Sequence, residues 1–357
     1  MTQQTFDVVI VGASFGGLAC ATHLAEHGKS VCILELKKDI TKGIHTTGII
    51  VKEAAAAFDL APDLTHEINQ VRLYAPSLKY IDLHTDDYFF QATDTPNLMA
   101  HLKTKAENTG VTILMNSPYK HAEKRGNDIF IHDYNLTCQF LIGADGPQSK
   151  VAQDWNLGTN QKYLLGAEAE FSTAHLESTK AFYCFLNQKI AYGYLGWVVP
   201  NIDIIQVGLA TSLPKKPDIG TFIDHIAPLF NLDKKNIVSR RGGLIPCGGP
   251  VKPLNTSNVL LLGDAAGTVS PLSAGGIHTA HFYGLNLAKE IISYSADNTA
   301  PHPSKYMVKH YPKFQQKRFK RWVFEHLAPD WLLNITIGNP LFKALAKIVF
   351  FKEKKLS

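Results

Sequence analysis

The chain has 357 residues, of which 45% are apolar and 19% charged, so it is long enough for two domains and has the composition of a globular protein. Its five cysteines form no C-x-x-C pair and no cluster with histidine, which argues against a metal site and predicts a reducing compartment. The net charge of +5 is uneven: residues 301–357 carry +9, which leaves −4 for the first 300 residues, and such a body does not favour nucleic acid as a partner.

The N-terminus has no basic segment before an apolar run, so we expect no signal peptide and a cytoplasmic protein. The apolar run at residues 8–11 predicts a buried parallel strand, and Gly12 lets the chain turn into a helix that begins near Phe15. A second predicted strand, at residues 31–34, ends at Glu35. An acid about 20 residues after the first glycine is where such a unit hydrogen-bonds a ribose. The segment therefore predicts a dinucleotide site.

Backbone N–H groups and the positive end of the predicted helix would face a phosphate of that ligand. The second glycine of the usual G-x-G-x-x-G pattern is replaced by Ser14, whose small side chain still admits a pyrophosphate. We expect Ser14 and Gly17 to hold one phosphate. The predicted cofactor contacts in this segment are Gly12, Ser14, Phe15, Gly17, Glu35, Leu36 and Lys37.

The middle of the chain has a different pattern. Short apolar runs such as residues 71–74, 165–171 and 204–208 predict antiparallel strands and no further strand–helix–strand units. The simplest organisation is a nucleotide-binding domain interrupted by a sheet. We predict a discontinuous nucleotide-binding domain at 1–70, 91–158 and 250–300, a β-sheet substrate domain at 71–90 and 159–249, and a basic helical C-terminal region at 301–357.

A second glycine-rich segment follows the strand predicted at residues 258–262. There Asp264 stands at the strand end and is followed by small residues, which favours FAD as the ligand, with Asp264 near its pyrophosphate and ribityl groups. A helix that starts near residues 275–277 would direct its N–H groups at the flavin pyrimidine edge, where negative charge accumulates on reduction. The predicted contacts here are Gly263, Asp264, Pro271, Gly275, Gly276 and Ile277.

The basic C-terminal region contains a predicted amphipathic helix, which Asn339 caps and Pro340 begins. Lysines interrupt its apolar stretch and argue against a membrane span. Two alternatives stay open: the helix packs on the body or covers a pocket, or it lies in a membrane interface. Its predicted apolar face consists of Leu341, Phe342, Leu345, Ile348 and Val349.

Three motifs resemble the FAD-dependent oxidoreductases of the glutathione-reductase fold, a group that includes aromatic hydroxylases, tryptophan halogenases and geranylgeranyl reductases. The resemblance implies an α/β protein with a Rossmann-like FAD-binding domain, an inserted antiparallel β-sheet substrate domain and a helical C-terminal region. It also adds Asp145 to the predicted cofactor contacts. The three motifs are residues 12–17 with Glu35, residues 140–146, and residues 263–264 with 271–277.

Within this group the chain most resembles the geranylgeranyl reductases. Residues 242–250 resemble their GGxIPxGGP run, residues 193–200 their GYxWxFP segment, and residues 270–277 their NPLTGGGI turn. The chain departs from the family at two positions. His45 stands where many of these reductases have a cysteine facing the flavin, and Asn97 stands where the fold usually offers an arginine. We carry Asn97 over as a cofactor contact.

The resemblance implies an enzyme of lipid biosynthesis that reduces C=C bonds of a prenyl lipid of the geranylgeranyl type by hydride transfer from reduced flavin. The proton that completes such a reduction would come from His45 or from an ordered water. Tyr194 and Trp197 would line a prenyl tunnel. The sequence has no second nucleotide-binding motif, so NAD(P)H or another electron donor would dock only transiently.

Two other classes of function stay open. An FAD-dependent monooxygenase that hydroxylates a small aromatic or polyketide-like compound would share every FAD motif. A non-catalytic protein that binds FAD and lipid would explain the His45 and Asn97 departures as lost chemistry. The expected partner is a hydrophobic small molecule or lipid, with peripheral membrane contact through the basic C-terminal region and no nucleic acid.

Overall fold

The computed structural model describes residues 3–58, 60–297 and 299–351. Within these ranges the chain forms an eight-stranded sheet, a seven-stranded sheet, a three-stranded sheet and ten α-helices. The α/β class and the presence of an antiparallel sheet beside a nucleotide-type sheet agree with the prediction from the sequence. The boundaries of the three predicted regions remain a prediction.

Strands and helices are numbered in chain order. The strands are β1 Gln4–Val11, β2 Val31–Leu34, β3 Ile49–Val51, β4 Thr65–Ile68, β5 Gln70–Tyr74, β6 Tyr80–His84, β7 Phe90–Thr93, β8 Thr112–Leu114, β9 Ala122–Arg125, β10 Asp128–Ile131, β11 Leu136–Gly143, β12 Tyr163–Phe171, β13 Ala181–Phe185, β14 Gly196–Pro200, β15 Ile205–Ser212, β16 Ile237–Pro246, β17 Asn255–Thr256 and β18 Val259–Leu261. The helices are α1 Phe15–Glu26, α2 Lys52–Phe58, α3 Thr95–Asn108, α4 Lys150–Asp154, α5 Ile219–Phe230, α6 Ile277–Ala296, α7 Pro303–His310, α8 Gln315–Leu327, α9 Asp330–Thr336 and α10 Pro340–Phe351.

The eight-stranded sheet has the order β17-β18-β11-β1-β2-β8, with β10 and β9 attached beyond β11. Strand β1 lies at its centre and pairs in parallel with β11 on one side and β2 on the other, which explains why Val8, Val9 and Ile10 are fully buried. Helices α1 and α6 cross closely beside it. A Cβ on Gly284 would lie 2.5 Å from the carbonyl oxygen of Gly16, so the crossing requires glycine.

The seven-stranded sheet has the order β16-β12-β15-β14-β13-β5-β6. All its pairs are antiparallel except β13 with β5. Strands β5 and β6 come from an early part of the chain, yet they extend the sheet that residues 163–246 form. The short strands β3, β7 and β4 make the third sheet. Helix α5 covers one face of the large antiparallel sheet through Phe222, Ile223 and Ile226.

Helix α10 packs on the body of the protein through Phe342, Ala346, Phe350 and Phe351, which join a core cluster with residues of the second and third sheets. The Oδ1 atom of Asn339 accepts a hydrogen bond from the N–H of Leu341 at 2.8 Å, so the predicted cap is confirmed. The docked face differs from the predicted apolar face, with which it shares Phe342. The other four residues of the predicted face are 43–69% exposed: Leu341, Leu345, Ile348 and Val349.

No single helix among the described residues is both long and apolar enough to cross a membrane. The pair Asp330–Thr336 and Pro340–Phe351 passes that test only when its two members are taken together, and they are bent by 104° relative to each other.

Candidate functional site

A cavity of about 790 Å³ is lined by residues of both large sheets. Part of its lining comes from the loops that follow the parallel strands β1, β2, β11 and β18, where ligands of open α/β sheets bind. We call this part the nucleotide end, defined by Gly12, Ser14, Glu35, Asp145 and Asp264. The other part is the apolar end, defined by Val51, Phe90, Phe182, Cys184, Trp197 and Phe350.

Gly12 brings the loop after β1 against the loop after β11. Its φ angle is +102°, a conformation that favours glycine. A Cβ at this position would lie 2.4 Å from the carbonyl oxygen of Ala144 and 2.8 Å from its carbonyl carbon. The close approach of the two loops therefore depends on the absence of a side chain at Gly12.

Ser14 caps helix α1, since its Oγ accepts a hydrogen bond from the N–H of Gly17 at 3.2 Å. Ser14 and Phe15 line the cavity, but Gly17 does not. A Cβ on Gly17 would lie 2.2 Å from the carbonyl oxygen of Gly12. The structure therefore corrects the predicted role of Gly17: this residue packs behind the turn, and its N–H is already bound by Ser14.

Glu35 is held at the nucleotide end by backbone donors. Its Oε2 accepts from the N–H of Ala13 at 2.7 Å, and its Oε1 accepts from the N–H of Lys37 at 2.9 Å. Both bonds fix a carboxylate that is only 8% exposed. Leu36 and Lys37 line the cavity beside it, and burial lowers the pKa of Lys37.

Asp264 also lines the nucleotide end and lies close to Gly276, where a Cβ would be 3.4 Å from its Oδ1. No hydrogen bond to its carboxylate is found among the residues that the structure describes. Desolvation raises the pKa of Asp264 to about 6. Asp264 is partly exposed to the cavity, so its carboxylate can accept hydrogen bonds from a ligand with hydroxyl groups.

Asp145 lines the same end, and its Oδ2 accepts hydrogen bonds from the N–H groups of Lys150 and Val151. These bonds join the loop after β11 to the first turn of α4. Burial is the main cause that raises the pKa of Asp145.

Helix α6 begins at Ile277 with Gly276 as its N-cap, and both residues line the cavity together with Gly275 and Gly263. The first N–H groups of an α-helix have no partner within the helix, so this helix presents donors to the cavity. The loop that precedes α6 is fixed by a hydrogen bond from a residue outside the loop. Tyr194 donates through its hydroxyl to the carbonyl oxygen of Ser273 at 2.8 Å.

Pro271 does not line the cavity, although we predicted it as a cofactor contact. It is buried, and its carbonyl oxygen accepts a hydrogen bond from Nη1 of Arg321 at 3.1 Å. Its neighbours Leu272 and Ser273 line the cavity instead. The structure therefore places Pro271 behind the loop, where Arg321 connects the loop to helix α8.

His45 is an exposed residue at the edge of the cavity. Its Nδ1 lies 2.7 Å from the carbonyl oxygen of Gly242. Since a carbonyl oxygen only accepts, Nδ1 carries the hydrogen and Nε2 of the neutral ring is an acceptor. His45 in this arrangement can give up a proton from Nε2 only when the ring is protonated on both nitrogens.

Asn97 lies outside the cavity, so it does not take the place of the arginine that the fold usually offers. Its side chain is exposed, and its Nδ2 donates to Oδ2 of Asp94 at 2.6 Å. Thr95 and Met99 are the residues of helix α3 that line the cavity.

Sequence reasoning missed a buried polar cluster on the cavity wall. Its centre is Glu168, which accepts hydrogen bonds from Nε1 of Trp197 at 2.8 Å and from Oγ1 of Thr47 at 2.6 Å. Nε of Arg241 donates to its other oxygen at 2.7 Å. Glu168 on β12 and Arg241 on β16 are direct cross-strand partners. The sequence signal for this cluster was an acid, Glu168, within an otherwise apolar strand. Its partner Arg241 could not be identified from the sequence, because the pairing depends on the register of β12 with β16.

The apolar end carries aromatic and aliphatic side chains. Tyr194 and Trp197, the predicted substrate contacts, line the cavity, and their contact with a substrate remains a prediction. Helix α10 adds Val349 and Phe350 to the lining. Its next residue, Phe351, has its ring centroid 6.2 Å from those of Tyr88 and Phe90.

A family model described as "FAD binding domain" matches residues 5–189, which is just over half of the chain. The chain belongs to this family. FAD is therefore the cofactor, and the nucleotide end fits it: the loops meet closely at Gly12, the N-terminal end of α6 lines the cavity, and the described residues provide no hydrogen-bond donor to the Asp264 carboxylate.

The similarity to known proteins extends over nearly the whole chain. The "Digeranylgeranylglycerophospholipid reductase" of Methanocaldococcus jannaschii is 24% identical and covers 99% of this chain and 97% of its own length. A "geranylgeranyl bacteriochlorophyll reductase-like" structure from Thermoplasma acidophilum has a TM-score of 0.82 at 17% identity and covers 98% of this chain and 97% of its own. The p-nitrophenol 4-monooxygenase of Pseudomonas putida has a TM-score of 0.74 at 14% identity, with coverage of 99% and 100%. These two structures support the same fold.

The state of Asp264 predicts an unusual pH dependence for the apoprotein. Its folded-state pKa of about 6 exceeds the ordinary 3.8, so the folded chain binds more protons than the unfolded chain between these values. Stability of the apoprotein should therefore fall as the pH rises from about 4 to 6, by up to about 3 kcal/mol. Asp264→Asn should remove this fall. Urea unfolding of both apoproteins between pH 4 and 8 checks it, and parallel profiles would contradict it.

Proposed function

We propose that the protein is an FAD-dependent reductase of C=C bonds in a prenyl lipid. The observation that carries the proposal is the continuity of the nucleotide end with an apolar end lined by Phe90, Phe182, Trp197 and Phe350. A cavity of this kind suits a long hydrocarbon chain beside a flavin. The name of the Methanocaldococcus jannaschii relative supports a lipid of the geranylgeranyl type.

Reduced FAD would supply the hydride for this reaction. The residues of the chain would provide binding, orientation and exclusion of water. The first N–H groups of α6 would stabilise negative charge at the flavin edge, and Asp264 would accept hydrogen bonds from the cofactor. His45, protonated on both nitrogens, or a water molecule would donate the proton that the second carbon needs. NAD(P)H or another donor would reduce the flavin between turnovers.

An anaerobic half-reaction tests the proposal directly. The flavin of the purified protein is reduced, a geranylgeranyl lipid is added, and the return of oxidised-flavin absorbance is followed together with the mass of the lipid. Reoxidation coupled to a gain of two hydrogens per flavin would support the reductase. A flavin that stays reduced with several prenyl lipids would refute it, provided that control reactions with dithionite and with FAD give the expected reduction and reoxidation.

A monooxygenase is the second candidate, and the likeness to the p-nitrophenol 4-monooxygenase structure favours it to the extent that the fold is shared. The two candidates differ in how the reduced flavin meets oxygen. A hydroxylase consumes oxygen when substrate is present, whereas a reductase reoxidises its flavin without oxygen. The anaerobic experiment therefore separates them.

We also propose peripheral membrane contact through residues 301–357, whose charge is +9. Removal of the chain after Asn339 should reduce binding to vesicles of phosphatidylglycerol at low salt, because both α10 and its lysines are lost. Co-sedimentation with vesicles measures this. Sedimentation unchanged by the truncation would leave α10 as a packing element only.

A further inference from the structure

The C-terminal helices α8, α9 and α10 expose an unusual number of apolar side chains. Nine of the fifteen large exposed hydrophobic residues in the described ranges fall between positions 319 and 349. They are 43–72% exposed, whereas soluble surfaces rarely concentrate such residues. We call this set the C-terminal apolar surface, and its principal members are Trp322, Trp331, Ile335, Leu341, Leu345 and Ile348.

Two of the helices that form this surface also carry positive charge. Helix α8 carries Lys317, Arg318 and Lys320, and helix α10 carries Lys343 and Lys347. Helices that carry exposed apolar side chains together with lysine and arginine match the chemistry of an anionic bilayer, where hydrocarbon lies beneath phosphate groups. A protein partner would need a matching apolar face with an acidic border.

Helix α10 connects this surface to the cavity. Val349 is 43% exposed and also lines the apolar end of the cavity, so it lies at the rim of an opening. Its neighbour Ile348 is 52% exposed, while Phe350 lines the cavity and Phe351 packs near Phe90. Successive residues of one helix therefore face the outside, the rim and the interior.

We propose that the C-terminal apolar surface inserts into an anionic bilayer and that the lipid chain enters the cavity beside Val349 directly from that bilayer. This route spares the chain a passage through water, which would cost free energy for each exposed methylene group. The inference rests on the proposed function for its substrate, but the bilayer contact does not depend on catalysis.

The bilayer contact is tested with the full-length holoprotein and vesicles of phosphatidylcholine and phosphatidylglycerol whose acyl chains carry bromine. We expect quenching of tryptophan emission, and we expect Trp322→Phe with Trp331→Phe to remove most of it. Ile348→Glu should weaken vesicle binding at least about tenfold, since it places a charge among the inserted residues. The matched control is Val238→Glu on β16, where the side chain is 59% exposed.

Equal binding by the two glutamate variants would overturn the bilayer contact. So would a change from dimer to monomer in Ile348→Glu with unchanged vesicle binding, because the surface would then be an interface between copies of the chain.

Entry beside Val349 is tested by Val349→Phe, with Val349→Ala as its control. Val349→Phe should keep vesicle binding and flavin content but slow anaerobic flavin reoxidation by vesicle-embedded lipid at least about fivefold, because the larger ring narrows the opening. A second readout needs no turnover. In the variant that lacks Trp322 and Trp331, a brominated alkyl chain that enters the cavity should quench Trp197 emission, and Val349→Phe should delay this quenching.

The two readouts keep the inference separate from the proposed function. If the wild-type protein reduces no prenyl lipid but Val349→Phe delays the quenching of Trp197, the reductase proposal fails and the entry route stands. If Val349→Phe changes neither readout, the entry route fails.

Discussion

A Gly12→Val variant is expected to purify as a folded apoprotein. A Cβ at position 12 would lie 2.4 Å from the carbonyl oxygen of Ala144 and 2.8 Å from its carbonyl carbon, far inside van der Waals contact, and both atoms belong to the backbone of the loop after β11. The turn after β1 would have to move away from the loop after β11, and the two loops form the nucleotide end. We expect a loss in FAD affinity of at least about 100-fold, which corresponds to about 2.7 kcal/mol.

Gly28→Val is the matched control. Gly28 also has a positive φ angle, +75°, but a Cβ there would have no atom within 4 Å. This variant therefore carries the backbone strain of a β-branched residue without the collision, at a cost of about 1–3 kcal/mol in stability. The ratio of flavin to protein absorbance, measured after dialysis, distinguishes the two. Stoichiometric flavin in Gly12→Val would refute the assignment of the nucleotide end.

The strand, turn and helix that form the nucleotide end could be predicted from the sequence because their determinants are local. The run of β-formers before Gly12, the small residue Ser14 and the acid at Glu35 lie within one strand–helix–strand unit, where strand propensity and turn geometry act over a few residues. The cap of α10 by Asn339 was predictable for the same reason. FAD itself followed from a second local pattern around Asp264.

Individual cofactor contacts were predicted wrongly where a motif shows the position of a loop but does not show which residues of that loop face the ligand. Gly17 and Pro271 both belong to the motifs, yet one packs behind a turn and the other accepts a hydrogen bond from Arg321. Asn97 occupies the expected position in sequence, but Asp94 binds its side chain outside the cavity.

Contacts between distant parts of the chain could not be predicted from the sequence either. The pattern of α10 predicted a single apolar face, but the helix is apolar on two sides, and Phe342 and Ala346 dock while Leu341 and Leu345 stay exposed. Which side docks depends on the shape of a core that the rest of the chain forms. Glu168 and Arg241 are 73 residues apart and meet only through the register of β12 with β16.

The second large expected effect concerns stability and the buried pair of Glu168 and Arg241. Glu168 is a buried acid, 5% exposed, that accepts hydrogen bonds from Trp197, Thr47 and Arg241. Glu168→Ala removes the acceptor for two neutral donors and one of the two carboxylates beside Arg241. The other carboxylate, that of Glu170, remains 3.0 Å from the guanidinium group. Because Arg241 keeps one partner, we expect a loss of about 3 kcal/mol in the free energy of unfolding, the lower end for a broken buried pair.

Glu177→Ala is the comparison that isolates the effect of burial. Arg72 also lies between two carboxylates, Glu177 and Asp82, but these are 63% and 57% exposed. Removal of Glu177 should cost less than about 1 kcal/mol, since water replaces the lost partner. Urea unfolding of both holoproteins at saturating FAD measures the difference. Glu168→Gln should fall between the two alanine variants, because an amide oxygen still accepts from Trp197 and Thr47 but carries no charge for Arg241. Equal losses in Glu168→Ala and Glu177→Ala would mean that water reaches the cavity wall at Glu168, and the apolar end would then be too wet to hold a hydrocarbon chain.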